Sequence, residues 1–373
     1  MRRLGPYIHD LSAWPDFYWN RERLAELLAA VRHKQGRLIG HMEALGFRFR
    51  QEAVLETLTA DVLKSSEIEG ETLDAGQVRS SIARRLGIDI GALRRSDRNV
   101  EGIVEMMLDA TRHYDQPLTT ERLYAWHASL FPTGRSGMTK IRVGDWRDDR
   151  GGPMRVVSGP IGRERVHFQA PSAKRLNREM RTFLRWFNKP ADMDDVLKAC
   201  LAHLWFVTIH PFDDGNGRIA RAIADMVLAR SENSSQRFYS MSSQIREERT
   251  AYYDILERTQ RGTTDITPWM EWFLGCLGRA IDGAQSALAG VLAKARFWER
   301  FQDVQLNDRQ RLVINRLLDG FEGKLSTSKY AKLAKCSQDT ALRDILSLAQ
   351  HGILVRGPEG GRSTSYALSK ISR

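Results

Sequence analysis

One short stretch carries most of what the sequence reveals, and it reads His210-Pro211-Phe212-Asp213-Asp214-Gly215-Asn216-Gly217-Arg218-Ile219-Ala220-Arg221. Apolar residues at three- and four-residue steps precede it, which predicts a helix. Pro211 disfavours helical geometry at the residue before it, so that helix is expected to end at His210. The two glycines permit a tight turn, and apolar spacing predicts a second helix after it. The stretch therefore predicts two helices joined by a glycine-rich turn.

The N-terminus of the second helix is predicted to bind an anion, because free backbone N–H groups and the positive end of the helix dipole lie there. Arg218 and Arg221 fall in its first turn, where basic side chains oppose the dipole. A bound polyphosphate explains them, since guanidinium groups bind phosphate oxygens in bidentate fashion. Asp214 suits a magnesium ion that bridges phosphate oxygens. His210 is the side-chain type that takes a proton from a hydroxyl near neutral pH.

The same stretch resembles the signature of the Fic family, His-Pro-Phe-x-(Asp/Glu)-Gly-Asn-Gly-Arg-x-x-Arg, and it matches at every specified position. Members of that family mostly transfer AMP from ATP to a hydroxyl side chain of a target protein. The resemblance implies that His210 is the general base and that Asp214 holds Mg²⁺. It also implies a phosphate site formed by Gly215, Asn216, Gly217, Arg218 and Arg221. In that site Arg221 contacts either the γ-phosphate or a regulatory carboxylate. ATP and Mg²⁺ are therefore the expected ligands.

A second motif lies far upstream and reads Ser65-Ser66-Glu67-Ile68-Glu69-Gly70. By itself it predicts only a solvated helix end with a glycine. Beside the signature, it resembles the family's inhibitory helix motif, (Ser/Thr)-x-x-x-Glu-(Gly/Asn), in the class whose inhibitor is N-terminal and intramolecular. The resemblance implies that Glu69 pairs with Arg221 and keeps it from the γ-phosphate. The register against Ser65 and Gly70 selects Glu69 over the two glutamates nearby.

The composition is that of a folded, soluble protein, with 42% hydrophobic and 28% charged residues among 373. No apolar stretch is long enough to span a bilayer and no signal core follows the N-terminus, so a cytoplasmic location is expected. The three cysteines are widely spaced, which argues against a disulfide set or a metal site. A net charge of +11 suits ATP or nucleic acid but identifies neither.

Three regions are predicted in a mainly α protein: an N-terminal helical region with the inhibitory helix at 1–90, a catalytic core at 97–285 and a smaller module at 305–370. Glycine-punctuated β-favouring pieces within 142–170 predict a hairpin, in which Arg147 and His167 are expected to be solvated. The resemblance implies a Fic helical bundle in the core, with this hairpin as a flap that aligns a target strand by backbone pairing. It also places Tyr252 and Tyr253 near the adenine, although buried packing is an equal expectation.

The last module is predicted to have three helices followed by two short strands, which resembles a winged helix-turn-helix. The side chains expected to face a DNA groove or to lie on the wing are Gln338, Thr340, Arg343 and Arg362. Asp339 and Asp344 lie on the same helix and would repel phosphate. DNA contact and protein docking therefore both remain open for this module, and so does a homodimer.

The predicted function is transfer of AMP from ATP to a Ser, Thr or Tyr hydroxyl of a target protein and of the chain itself, under autoinhibition by Glu69. One alternative is a DNA-binding regulator whose core senses nucleotide. Another is an enzyme with altered chemistry, such as removal of AMP or transfer of phosphate, phosphocholine or another nucleotide. The complete signature favours the first function, because a sensor has no need of His210.

Overall fold

The structure is a computed structural model that describes residues 7–43, 47–90, 93–160, 162–190, 192–318, 321, 324–357 and 364–369. The chain divides into two compact units, Met1–Ala284 and Gln285–Arg373. Helices dominate both units, so the prediction of a mainly α fold is confirmed. Among the described residues, none of the helices has the combination of length and apolar character needed to cross a membrane.

The first unit is built from helices around a buried central pair. In chain order they are α1 (Arg21–Glu43), α2 (Phe47–Ile68), α3 (Ala75–Leu86), α4 (Arg98–Arg112), α5 (Thr120–Leu130), α6 (Ala173–Asn188), α7 (Asp195–Ile209), α8 (Asn216–Glu232), α9 (Met241–Glu247), α10 (Arg249–Gln260) and the first part of α11 (Thr267–Arg300). Helices α7 and α8 pack against each other, and α2, α4, α5 and α9 all contact α8. The signature turn joins this central pair.

The burial of the central pair explains why the sequence of α7 is mainly apolar. Every residue of α7 from Val196 to Ile209 is buried, so this helix is apolar around its whole circumference. Its N-terminus is capped by Asp194, whose carboxylate accepts a hydrogen bond from the Val196 N–H. The predicted end at His210 is where α7 stops in the structure. A rigid core therefore fixes both sides of the turn.

Two small antiparallel hairpins lie between α5 and α6. The predicted hairpin is formed by β3 (Arg155–Ser158) and β4 (Arg165–Gln169), with a register irregularity between Val156 and Val157. Phe168 of β4 is buried beside the ring of Tyr7. A shorter hairpin, β1 (Arg135–Ser136) and β2 (Thr139–Lys140), was not predicted.

The second unit contains the rest of α11, then α12 (Asp308–Leu318), α13 (Thr327–Ala334), α14 (Gln338–Gln350), β5 (Leu354–Arg356) and β6 (Tyr366–Leu368). Strands β5 and β6 pair antiparallel. Serines cap two of these helices, since Ser326 and Ser337 each accept a backbone N–H of the helix that follows. This order of elements agrees with the predicted one, and the winged helix-turn-helix assignment stays a prediction. Arg362 lies outside the described residues.

Candidate active site

The backbone of the signature turn is held in an unusual conformation. His210 ends α7 in the left-handed region with φ +52°, and Gly215 precedes α8 with φ +79°. A non-glycine residue adopts such a φ only when its surroundings compensate for the strain. Arg147 supplies one such contact, because its Nε donates to the His210 carbonyl oxygen at 2.7 Å and its backbone N–H donates to Pro211. The histidine is therefore presented at a fixed angle beyond the helix.

The imidazole of His210 is set up to accept a proton. Its Nδ1 lies 3.2 Å from the carbonyl oxygen of Val207, which can only accept a hydrogen bond. Nδ1 therefore carries the proton, and Nε2 keeps its lone pair. Burial, reinforced by the positive charge of Arg147, lowers the pKa of His210 to about 4. The ring is thus neutral at physiological pH, which is the form a general base needs.

Two buried side chains stabilise the turn from within. Asn216 bridges Phe212, since its Oδ1 accepts the Phe212 N–H at 3.0 Å and its Nδ2 donates to the Phe212 carbonyl at 2.8 Å. The phenyl ring of Phe212 stacks on His127 with 4.2 Å between ring centroids. Both polar atoms of the Asn216 side chain are therefore hydrogen-bonded within the turn. Of this residue, only the backbone N–H at the start of α8 remains for a phosphate.

His127 connects the turn to the preceding loop. Its Nδ1 accepts the N–H of Gly144 at 3.1 Å, so its Nε2 carries the proton and donates to the Asp214 carbonyl oxygen at 3.2 Å. Burial lowers the pKa of His127 to about 4, which keeps the ring neutral and both hydrogen bonds intact. Sequence reasoning made no link between this histidine and the signature, because 87 residues separate it from Asp214.

The carboxylate of Asp214 is held by one backbone contact within the turn and by one side chain outside it. Its Oδ1 accepts the N–H of Gly215 at 2.6 Å, and its Oδ2 accepts a hydrogen bond from the hydroxyl of Ser136 in β1. The described residues contain no cluster of three or more acidic, histidine or cysteine ligands. One carboxylate with a hydroxyl beside it fits Mg²⁺, which takes one or two carboxylates and fills its other positions with phosphate oxygens and water. Ser136 was missed because its own hairpin was not predicted.

Arg218 and Arg221, in the first two turns of α8, are both buried and are held by the end of α2 and the residues that follow it. Arg221 donates from Nε to the Ser65 hydroxyl at 3.0 Å, and from Nη2 to the Ser65 carbonyl and the Glu69 carboxylate at 2.9 Å each. Arg218 donates from Nη1 to the Glu71 carboxylate at 2.6 Å. Both guanidinium groups are 2% exposed.

The Glu69 carboxylate also lies directly over the N-terminus of α8. A Cβ atom built on Gly217 would be 2.2 Å from Glu69 Oε1 and 3.2 Å from Arg221 Nη1. Only a glycine therefore leaves room for the carboxylate against the first turn of the helix. The carboxylate occupies the space in which the positive end of the helix dipole would attract a phosphate.

A reversal of the chain at Gly70 places these carboxylates. Gly70 has φ +83°, and the N–H of Glu71 donates back to the Ser66 carbonyl at 3.0 Å, which is a Schellman-type helix end. Arg249 of α10 donates to the Ile68 carbonyl at 2.8 Å, which further satisfies the end of α2. The residues on both sides of the glycine are thereby turned toward α8.

The two tyrosines predicted near adenine differ in their environments. Tyr252 is 2% exposed, lies against Trp269 and Trp272, and has its hydroxyl 2.9 Å from His203 Nε2. Its ring is covered by protein, which agrees with the alternative expectation of buried packing. Tyr253 is 36% exposed, so its ring is the one with a solvent-accessible face.

Two residues of the 142–170 region are anchored by hydrogen bonds, contrary to the expectation that they are solvated. Arg147 is 3% exposed and holds the backbone of the turn. His167 of β4 is anchored to α10, with Nδ1 2.6 Å from Glu257 and Nε2 2.6 Å from the Ser158 hydroxyl. Hydrogen bonds from His167 and Arg165 outweigh burial and lower the pKa of Glu257. Both side chains were misread because their partners lie far away in sequence.

In the second unit, the face of α14 predicted to enter a groove is of mixed character. Gln338 and Arg343 are exposed, and Thr340 is half-buried. Leu342 and Leu346 are 42% and 55% exposed on the same helix. Exposed leucines are typical of protein contacts rather than of phosphate contacts.

Asp344 does not have the predicted effect on this face. It is 6% exposed, and its carboxylate pairs with Arg309 at 3.0 Å and accepts from the Tyr330 hydroxyl. A neutralised carboxylate inside the unit does not repel phosphate, so only Asp339 remains as an exposed acidic residue on α14. DNA contact and protein docking both stay predictions.

Comparisons with known proteins identify a family domain that includes the signature turn. Residues 117–228 match the family model described as Fic/DOC family, and residues 7–88 match one described as Domain of unknown function (DUF4172). "Protein adenylyltransferase Fic" of Drosophila ananassae is 24% identical over 288 residues, covering 74% of this chain and 53% of that protein. The protein of the same name from Culex quinquefasciatus is 26% identical over 273 residues, covering 70% and 50%. This chain therefore spans about half the length of these curated relatives.

Solved structures show the same fold. A Fic family protein from Desulfovibrio desulfuricans aligns with a TM-score of 0.54 at 21% identity, covering 95% of this chain and 98% of that one. A Fic domain containing signaling protein from Bacteroides thetaiotaomicron aligns with a TM-score of 0.50 at 21% identity, covering 70% and 97%. At this identity the likeness concerns the fold alone.

Proposed function

Given that this chain carries a Fic domain, we propose that the protein transfers AMP from ATP to a hydroxyl side chain of a protein. The observation that carries the proposal is the position of His210. Its unprotonated Nε2 lies at the same turn as a helix N-terminus with two buried arginines and one carboxylate. These are a base and a polyphosphate site, and nucleotidyl transfer depends mainly on positioning such groups.

The reaction needs one proton transfer and one displacement. His210 Nε2 takes the proton of the target hydroxyl, and the hydroxyl oxygen attacks the α-phosphorus of ATP. The bond between that phosphorus and the oxygen leading to the β-phosphate breaks, and pyrophosphate leaves. Mg²⁺, when bound, would neutralise charge on the phosphate oxygens, and Asp214 is the residue that would hold it. The backbone N–H groups of α8 and the two arginines would hold the phosphates.

The target hydroxyl belongs to Ser, Thr or Tyr in this proposal, and the β3–β4 hairpin would hold the target segment. Strand β3 is the more exposed of the two strands. On β4, Arg261 donates to the carbonyl oxygens of Val166 and His167. We therefore propose that a target strand pairs along β3, where backbone groups are more accessible.

We further propose that Glu69 keeps this activity low. Its carboxylate neutralises Arg221 and fills the space above Gly217, so the distal phosphates of ATP would be displaced from the N-terminus of α8. An in-line attack at the α-phosphorus requires those phosphates to be correctly seated. The proposal is supported by the contact of one carboxylate with both the arginine and the helix N-terminus.

The test is label transfer from α-labelled ATP with Mg²⁺ by four purified proteins: wild type, Glu69→Gly, Glu67→Gly and Glu69→Gly/His210→Ala. We expect Glu69→Gly to label itself or lysate proteins at least about tenfold faster than the wild type. A tenfold change in rate corresponds to a change of about 1.4 kcal/mol in the activation free energy. Glu67→Gly is the matched control, because Glu67 pairs with Lys64 and Arg246 and not with α8.

Two results would contradict the proposal. Equal labelling by Glu69→Gly and wild type would reject Glu69 as an inhibitor, and labelling that persists without His210 would reject the base. A parallel reaction with γ-labelled ATP separates AMP transfer from phosphate transfer, because only the first leaves the α-label on protein.

A further inference from the structure

We propose that Glu71 determines the nucleotide affinity of this site by occupying Arg218 in place of a nucleotide phosphate. The inference rests on the proposed function and extends it to a residue outside the inhibitory motif. Glu69 and Glu71 would together stand in for two phosphates of a polyphosphate. Glu69 holds Arg221, and Glu71 holds Arg218.

The contact between Glu71 and Arg218 is short, and it joins a buried arginine to a partly exposed carboxylate. Glu71 Oε2 accepts from Arg218 Nη1 at 2.6 Å. The arginine is 2% exposed, whereas the Glu71 side chain is 43% exposed. The guanidinium is thus fixed in the protein, with its face against the Phe131 ring at 5.1 Å. The carboxylate is partly open to solvent, so a nucleotide phosphate can displace it without unfolding the site.

Both arginines retain hydrogen-bonding capacity that the carboxylates do not satisfy. Arg218 Nε and Arg221 Nη1 are buried and have no hydrogen-bond partner among the described residues. A buried donor without a partner is costly, so each favours a ligand that reaches it. A phosphate has more acceptor oxygens than a carboxylate, and it can satisfy a guanidinium through two nitrogens at once. Displacement of Glu71 by phosphate is therefore chemically reasonable.

The two carboxylates are not independent, because one turn places both. The left-handed φ of +83° at Gly70 and the hydrogen bond from the Glu71 N–H to the Ser66 carbonyl fix the chain on each side of the glycine. Glu71 is nonetheless the more exposed carboxylate, at 43% against 29% for Glu69. Nucleotide is thus expected to displace Glu71 more readily than Glu69.

The two residues should affect different steps. Glu69 lies against α8 at Gly217 and governs how the phosphates are seated, so its loss should raise kcat. Glu71 competes for a binding group, so its loss should raise the fraction of protein competent to bind distal phosphates and lower the KM for ATP. AMP has no distal phosphates, and its affinity should not depend on Glu71.

The experiment measures nucleotide affinity by calorimetry for Glu71→Gln and the control Glu67→Gln, each placed in the wild type and in Glu69→Gly. Both substitutions remove one carboxylate charge from the same helix end, but the carboxylate of Glu67 pairs with Lys64 and Arg246 rather than with an arginine of α8. We expect Glu71→Gln to bind ATP and ADP roughly three- to fivefold more tightly than its parent, the upper end of the scale for one partly exposed ion pair. AMP binding should be unchanged, as should all three affinities in Glu67→Gln.

The outcomes separate this inference from the function beneath it. The role of Glu71 would be overturned if Glu71→Gln bound ATP within about twofold of its parent, or if its affinity for AMP rose as much as its affinity for ATP. Either result would leave the proposed AMP transfer standing. Failure of every variant to bind ATP would overturn the proposed function and this inference together. In the transfer reaction, a lower KM for ATP at unchanged kcat supports the inference, and a changed kcat at constant KM contradicts it.

Discussion

Acid should destabilise the first unit through His127, and the effect can be isolated by one substitution. The ring is fully buried, with Nδ1 accepting from Gly144 and Nε2 donating to Asp214. Protonation would place a hydrogen on Nδ1, where the Gly144 N–H already points, and would add a charge to the core. The pKa of about 4 in the folded protein expresses that cost, compared with about 6.5 in an unfolded chain.

The sign and size follow from linkage. Between those two pKa values the unfolded state binds more protons than the folded state, so stability is full above about pH 6.5 and falls as the pH drops toward 4. From about pH 7.5 to about pH 5, this single histidine should remove about 2 kcal/mol from the free energy of unfolding. That is a large share of the 5–15 kcal/mol that stabilises a typical domain.

The measurement compares urea unfolding of the wild type, His127→Asn and His33→Asn at both pH values, followed by tryptophan fluorescence. Asparagine at 127 retains a donor and an acceptor but cannot be protonated, so the variant should start less stable and lose about 2 kcal/mol less on acidification. His33 is exposed on α1, and its substitution is the control for the loss of one imidazole outside the core. Parallel stability–pH curves for His127→Asn and the wild type would refute the reasoning.

Two further predictions concern the turn itself. Gly215→Ala should lower the free energy of unfolding by about 2–4 kcal/mol in calorimetry, since the residue has φ +79° and a new Cβ would lie 2.9 Å from Phe131. Gly36→Ala, on an open helix face, is the control and should be neutral or slightly stabilising. A loss of stability at Gly36 as large as that at Gly215 would contradict the packing argument. In the Glu69→Gly background, kcat/KM should fall with acid only near the His210 pKa of about 4, because the neutral ring is the base. A fall in kcat/KM near pH 6.5 would show that the ring is not held neutral by burial.

Local features of the fold could be predicted from sequence. Proline after His210 ended a helix, and glycines marked the hairpin between β3 and β4. Each depends on residues within a few positions of each other, where backbone sterics and local hydrogen bonds dominate. The short β1–β2 hairpin was missed because two-residue strands carry no usable alternation.

The candidate site was predictable only in part. The twelve-residue signature supplied the base, the carboxylate and the two arginines, and the motif around Ser65 indicated Glu69. The supports of the turn were not predictable: Arg147 reaches it from 63 residues away, and Ser136 from 78. No periodicity or spacing encodes such long-range pairs.

By itself, the sequence determined which chemical groups this protein has at one turn. A helix end, two glycines and two arginines can be recognised from the residues next to them in the chain. Only the tertiary structure decided the state of those groups. Burial leaves His210 neutral, and the reversal at Gly70 brings Glu69 and Glu71 onto Arg221 and Arg218. Desolvation and charge pairing depend on which segments meet in space, so a site that the sequence presents as a phosphate cradle is, in the folded chain, already filled by two of its own carboxylates.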